Sequence, residues 1–347
     1  HISKQSLKIK YYNFVIVELL RKMLFPVSLL YAIVVKFRNY CYDKGIFKSK
    51  SFRTPIICVG NLSVGGTGKT PMIEFLVSLL KDDFKVAVLS RGYRRKSRGF
   101  ILADSDSDVE SLGDEPFQIH SKFPEITVAV DADRRNGISI LANKKSPDLI
   151  LLDDAFQHRK VKSDLAILLT AYGNLYCNDW YLPTGSLRDS RQQAKRADII
   201  VVTKCPKVMS DVERTAIAHK LNPEPHQRLL FSWLSYSPML KGSNADIHLD
   251  VLKDKNVTLV TGIANPEPLL AHLKKKGVVF DHLRFKDHHF FTENELKQLR
   301  EKDCILTTEK DYVRLSKKLN NLHFIVVKHE FSKVDKEVLE NGVRQIM

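Results

Sequence analysis

A chain of 347 residues, 44% of them hydrophobic, holds enough apolar side chain for two domains of ordinary size, which excludes a disordered protein. The formal net charge of +15 asks for an anionic partner, whether nucleic acid, a membrane surface or a phosphorylated substrate, and by itself does not choose among them. Cys41, Cys58, Cys177, Cys205 and Cys304 are scattered, odd in number and form no Cys-x-x-Cys pair, which excludes a disulfide framework and a cysteine zinc site and fits a reducing cytoplasm.

Residues 7–42 read as one long or broken helix, apolar at Phe14, Val15, Val17, Leu19 and Leu20 and again from Met23 to Val35, with Pro26 inside. The uncharged run 23–35 is shorter than the roughly 20 residues a bilayer span takes, so the helix is expected to lie in the membrane interface rather than cross it. Basic residues (Lys8, Lys10, Arg21, Lys22, Lys36, Arg38) and aromatics (Tyr11, Tyr12, Phe25, Tyr31, Phe37, Tyr40) flank it, as suits attachment to anionic lipid. A buried core helix is the alternative reading. No Ala-x-Ala-like site follows, so a cleavable signal peptide is not expected, and an opening His1 is expected of a trimmed or tagged chain.

Next come Ile56-Ile57-Cys58-Val59, then Gly60-Asn61-Leu62-Ser63-Val64-Gly65-Gly66-Thr67-Gly68-Lys69-Thr70-Pro71, then an amphipathic segment from Met72 to Leu80. This is the order strand, phosphate loop, helix. Gly65, Gly66 and Gly68, with Thr67 between them, let successive N–H groups turn inward on phosphate oxygens at a helix N-terminus. Lys69 is placed to reach the β- and γ-phosphates and Thr70 to hold Mg²⁺. Where the usual pattern has its first glycine this chain has Ser63.

β-rich runs at 85–89, 127–130, 149–152, 165–169 and 199–202 alternate with helical patterns, which predicts an α/β fold with a mainly parallel sheet, helices on both faces and a phosphate-loop NTPase arrangement. Asn222-Pro223-Glu224-Pro225 reads as a boundary, followed by runs at 229–231, 257–260, 278–280, 304–306 and 324–327. The expected organisation is a membrane-associated helix (1–42), a kinase domain (43–225) and a smaller α/β domain (226–347), whose last helix is free to pack back on the first.

The apolar run Leu149–Leu152 ends in Asp153-Asp154, a strand-end carboxylate pair suited to Mg²⁺ or its waters, although such an Asp can also merely cap the next helix. Gly113-Asp114-Glu115-Pro116 places a second acidic pair at a helix start, where Asp114 alone would serve as N-cap. Asp287-His288-His289 offers a proton-handling pair in the second domain, or simply two exposed histidines at a turn. Cations in Ser90-Arg91-Gly92-Tyr93-Arg94-Arg95, in Arg134-Arg135 and in Leu187-Arg188-Asp189 are expected at the sheet edge that carries the phosphate loop.

Together with Asp153-Asp154-Ala155-Phe156-Gln157-His158, Gly185-Ser186-Leu187-Arg188 and Thr308-Glu309-Lys310-Asp311, these motifs, in this order over nearly the whole chain, strongly resemble the tetraacyldisaccharide 4′-kinases of lipid A biosynthesis. The resemblance implies transfer of the ATP γ-phosphate to the 4′-hydroxyl of a membrane-embedded tetraacyl disaccharide 1-phosphate, with Mg²⁺, at the cytoplasmic face of the inner membrane of a Gram-negative bacterium. It implies Lys69, Thr70, Glu115 and Asp153 around nucleotide and metal, and Asp114 with His288 as the catalytic pair, Asp114 taking the hydroxyl proton. Tyr93, Arg135, Gln157, His158 and Arg188 match positions that line the site or stabilise phosphate charge. Two departures are Asp189, where Glu is more usual, and Ala155, where Gly is common. Neither a nucleic-acid nor a protein partner is inferred.

A rival reading is a membrane-recruited nucleotide switch that docks a protein, and the proposed hydroxyl-activating pair argues against it. A GTPase fits less well still, because Thr203-Lys204-Cys205-Pro206 matches the guanine-specifying Asn-Lys-x-Asp only at the Lys.

Overall fold

The computed structural model describes residues 21–242 and 245–347. Most of the expected N-terminal segment, residues 7–20, lies outside them. Residues 21–23 are helical, Leu24 turns, and α1 (Phe25–Asp43) follows with Pro26 in its first turn, where a missing N–H breaks no helical bond. The first half of the chain continues as β1 (Ile56–Asn61), α2 (Lys69–Leu80), β2 (Val86–Ser90), β3 (Ile101–Leu102), α3 (Val109–Leu112), α4 (Asp114–Lys122), β4 (Thr127–Val130), α5 (Arg134–Lys145), β5 (Leu149–Asp153), β6 (Leu165–Ala171), β7 (Ile199–Thr203) and α6 (Asp211–Leu221). The rest is β8 (Arg228–Gly242), β9 (Ile247–His248), β10 (Val257–Thr261), α7 (Glu267–Lys275), β11 (Phe280–Arg284), α8 (Glu293–Arg300), β12 (Cys304–Thr308), α9 (Glu309–Leu315), β13 (Leu322–Phe331) and α10 (Lys333–Arg344).

The strands lie in the order β11-β10-β12-β13-β8-β7-β6-β1-β5-β2-β4-β3, with β9 beside β8. β1 is parallel to both β5 and β6, and the parallel run extends through β2 and β4 on one side and β7 on the other. A strand covered on both faces has no polar side to show, which is why β1, β2, β5 and β7 are buried along their whole length. Alternate residues feed opposite faces: Ile56, Cys58, Leu89 and Leu152 pack with Ile138 and Leu141 of α5, while Ile57, Val59, Val88 and Leu151 pack with Leu76 and Leu80 of α2. Leu339 and Val343 of α10 join this second cluster.

The two halves are joined by β8. Its first residues pair parallel with β7 (Ile199 opposite Arg228), and from Ser232 onward it pairs antiparallel with β13. The sequence predicts only the apolar start of β8, because beyond Phe231 the strand reads as alternating serine and large side chains and contains Pro238. The loops at the C-terminal ends of the parallel strands, where open α/β sheets bind their ligands, carry the motifs singled out above.

Candidate active site

The phosphate loop leaves β1 at Asn61 and enters α2 through Gly68, whose φ of +88° a side-chain-bearing residue adopts only under strain. Its outer limb is tied to the segment before Arg188: Val64 N–H donates to the Ser186 carbonyl at 2.7 Å, and Arg188 N–H to the Leu62 carbonyl at 2.7 Å. Inside the loop Asn61 Nδ2 donates to Thr67 Oγ1 at 2.8 Å, and Thr203 Oγ1 to the Thr67 carbonyl at 2.8 Å. Lys69 Nζ lies 3.7 Å from Asp154 and 3.5 Å from Asn61 Oδ1. Arg188 grips Asp154 through both terminal nitrogens, at 3.0 and 2.7 Å, and also donates to Asn61 Oδ1. Opposed charges thus converge on Asp154, whose carboxyl is held below the ordinary range by the Arg188 bonds and by Lys69 in spite of burial.

Asp153, at the end of β5, is 1% exposed. Its Oδ2 accepts from Ser90 Oγ at 3.1 Å, and its Oδ1 is buried with no hydrogen-bond partner. Burial, then the neighbouring carboxylates Glu115 and Asp154, push its carboxyl up to about 7. A buried oxygen without a partner beside two further carboxylates fits a divalent cation. Among the described residues no three His, Cys, Asp or Glu side chains cluster as a dedicated metal cage. That agrees with Mg²⁺, which is held by one or two protein oxygens plus phosphates and water. Thr70 and Glu115, both half-buried, stand on the flanking helix starts.

Asp114 opens α4 and is met by groups from the far half of the chain. His288 Nδ1 lies 2.5 Å from Asp114 Oδ2, and Arg314 of α9 binds both carboxylate oxygens, Nε to Oδ1 at 2.7 Å. Burial pushes Asp114 up, but the bonds from His288 and Arg314 outweigh it and hold the carboxyl at about 2. Lys310 Nζ is 3.0 Å from His288 Nε2; an ammonium only donates, so Nε2 accepts there and Nδ1–H points at Asp114. Tyr93 stands edge-on to the His288 ring, 5.5 Å between centroids, and Arg94 donates to the Asp287 carbonyl at 3.4 Å. Six non-glycine residues have positive φ among the described residues. Ser146 and Asn222 are helix C-caps, while Arg94, Asp154, Lys204 and His288 all border this site, where strained backbone is held by its surroundings.

Not every expected residue converges equally. Gln157 donates to the Asn61 carbonyl at 2.6 Å, so it braces the loop. His158 has a buried, unpartnered Nε2 and is pulled to about 4 by burial and then by Arg134. Arg135 is half-exposed and pairs with Asp133 at 3.5 Å, whereas its neighbour Arg134 is buried and donates to the Asp153 carbonyl at 3.4 Å. Asp154 and Arg134 stand where the strand-end acid pair and the sheet-edge cations were expected, whereas Asn61, Lys310 and Arg314 were given no role of their own. Asn61 and Lys310 lay inside quoted motifs, and Arg314 carried no local signal.

The family model for tetraacyldisaccharide-1-P 4′-kinase matches residues 20–347. The tetraacyldisaccharide 4′-kinase of Flavobacterium johnsoniae is 49% identical over 320 residues, covering 90% of this chain and 94% of the relative. The chain belongs to the tetraacyldisaccharide 4′-kinase family. A second family member, from Bacteroides thetaiotaomicron, is 46% identical, with 85% of this chain and 83% of the relative covered. A crystal structure of LpxK from Aquifex aeolicus in complex with ATP is 32% identical and matches with a TM-score of 0.78, covering 94% of this chain and 99% of that one. The expected phosphate-loop α/β fold is therefore the fold of this tetraacyldisaccharide 4′-kinase family member.

Proposed function

We propose that the chain transfers the γ-phosphate of ATP to the 4′-hydroxyl of a tetraacyl disaccharide 1-phosphate, the lipid A precursor, with the acceptor presented at a membrane surface. The observation that carries this reading beyond nucleotide binding is the Asp114–His288 contact, made by residues 174 positions apart. A nucleotide switch has no use for such a pair.

In this reading the N–H groups of the loop and Lys69 hold the β- and γ-phosphates, and Arg188, now on Asp154, is within reach of charge that develops as the terminal phosphoryl moves. Thr70, Asp153 and Glu115 would hold Mg²⁺, which when bound neutralises phosphate charge and orients the leaving group. The 4′-oxygen bonds to the γ-phosphorus while the bond from that phosphorus to the β–γ bridging oxygen breaks, so ADP leaves. The hydroxyl proton passes to the Asp114–His288 pair. A carboxyl at about 2 is a weak base, which suits a loose transition state in which the proton leaves late.

Membrane attachment is supported by α1, which buries Ser28, Ala32, Val35 and Asn39 and turns Leu30, Ile33, Val34 and Phe37 outward. Among the described residues no helix is long and apolar enough to cross a membrane. We place the chain peripherally on the cytoplasmic leaflet, with 43–225 and 226–347 as two lobes closing on nucleotide and lipid.

The test is transfer of radiolabelled phosphate from ATP to the purified lipid acceptor in mixed micelles. Asp114→Ala and His288→Ala should each lower kcat by about 10²-fold or more with little change in KM for ATP, and the double variant should be scarcely worse than the worse single one. Losses that multiply fully would mean that the two do not act as a unit.

A further inference from the structure

His329 lies on β13, far along the chain from the phosphate loop, yet it is 3% exposed and sits against that loop. Its Nε2 is 2.9 Å from the Gly68 carbonyl and its Nδ1 is 3.1 Å from Ser232 Oγ on β8. A carbonyl only accepts, so Nε2 carries the hydrogen and Nδ1 accepts from the serine hydroxyl. The same carbonyl receives the Met72 N–H at 3.1 Å, the first turn of α2. A Cβ on Gly68 would come within 2.8 Å of His329 Nε2, so the imidazole occupies the space that the missing side chain leaves.

The peptide unit is planar and trans, and its C=O and N–H therefore point in opposite directions. Fixing the Gly68 carbonyl on His329 turns the Lys69 N–H away from β13, toward the mouth of the helix N-terminus where an anion binds. We propose that His329, held in one tautomer by the Gly68 carbonyl and oriented by the Ser232 hydroxyl on its other nitrogen, is a positioning residue for the phosphate loop, setting its affinity for a nucleoside di- or triphosphate without touching the nucleotide. β8 and β13 are also the ribbon that joins the two halves, so the loop is seated on the element that leads to the His288 side of the site. The inference rests on the nucleotide-binding reading of the loop.

The experiment measures binding of Mg-ADP and Mg-ATP to the full chain by calorimetry, beside thermal unfolding and the KM for the lipid acceptor. His329→Phe keeps a ring and loses the donor; His329→Gln keeps an amide N–H at similar reach. The phenylalanine variant should bind nucleotide about tenfold more weakly, in keeping with one lost hydrogen bond to a fixed carbonyl. The glutamine variant should recover to within about threefold of the unaltered chain, with the KM for the lipid unchanged in both. Equal nucleotide affinity in all three, with unfolding temperature alone reduced, would overturn the proposal and leave His329 as a core residue. Should His329→Phe fail to fold, Ser232→Ala serves instead: weaker nucleotide binding supports the proposal and unchanged binding overturns it. Failure of the unaltered chain to bind nucleotide would instead strike at the reading of the loop.

Discussion

His329 ties the phosphate loop to the fold, and it does so uncharged. Burial, with Lys204 adding to it, pulls its imidazole to about 4 against the opposing bond to Gly68. In the unfolded chain the same group titrates near 6.5, so protons bind more tightly to the unfolded state. Stability from this residue is complete above about pH 6.5 and is lost as pH falls toward 4, by about 3 kcal/mol at the limit. Urea unfolding at pH 7.5, 6 and 5 should show that decline, and His329→Gln should flatten it; equal slopes in both proteins would show that another group titrates. The residue scale is also where sequence reading was least complete. Lys69, Thr70 and Asp153 are legible as candidates because their spacing next to a strand end suggests what they could do. Arg314 is not, because it meets Asp114 across 200 positions and looks in sequence like any arginine on a short helix. His329 hides for the same reason, as one of several polar residues in the strand Leu322–Phe331.

At the scale of elements, α1 illustrates how an exposed apolar face is kept in register. Asp189 is fully buried, accepts from Asn39 Nδ2 at 2.7 Å and pairs with Arg38 at 2.9 Å, while Tyr31 donates to the Arg188 carbonyl at 3.0 Å. Phe25 and Tyr31 meet Trp180 and Tyr181 edge-on. The helix is thereby bonded to the two residues after Leu187, one of which is Arg188 in the site. Here the shorter Asp at position 189 reaches its partners directly. Asn39→Ala leaves a buried carboxylate with one partner fewer, and should cost about 1–3 kcal/mol in urea unfolding. It should also lower kcat, because Arg188 is no longer held from behind. A stability loss without any change in kcat would show that α1 does not hold Arg188 in place. The parallel strands are legible as short apolar runs because both their faces are covered, whereas β11, an edge strand reading Phe280-Asp281-His282-Leu283-Arg284, shares only Phe280 with the apolar run 278–280 expected there and continues through polar residues. The ribbon half of β8 was missed because one of its faces is wet and its pattern is mixed.

For the molecule as a whole, the question is what holds α2, α4 and α9 together, since these helices carry the phosphate loop, Asp114 and Arg314. One lysine spans all three. Lys122 of α4 lies 2.6 Å from Glu74 of α2 and 2.8 Å from Glu309 of α9, and Gln118 donates to the other Glu74 oxygen at 2.7 Å. Both carboxylates are nearly buried, and burial followed by the charge of Glu74 pushes the Glu309 carboxyl up to about 7. Lys122 is thus the cation that lets two acids from opposite halves of the chain face one another. Replacing it by methionine preserves most of the apolar stem and leaves the two acids uncompensated, so Lys122→Met should lose about 3–5 kcal/mol of stability at pH 8. A group whose folded-state titration is raised weakens the fold as pH climbs through that value, so the deficit should shrink as pH drops from 8 to 6 and Glu309 takes up a proton. Glu309→Gln in the same background should restore part of the loss at pH 8 and remove its pH dependence. If Lys122→Met were equally destabilised at both pH values, packing of the lysine stem rather than its charge would be what joins the halves. Catalysis gives the companion readout: with the three helices no longer pinned, kcat should fall more than KM for ATP rises, because the phosphate loop stays seated on His329 while Asp114 loses its fixed distance from it.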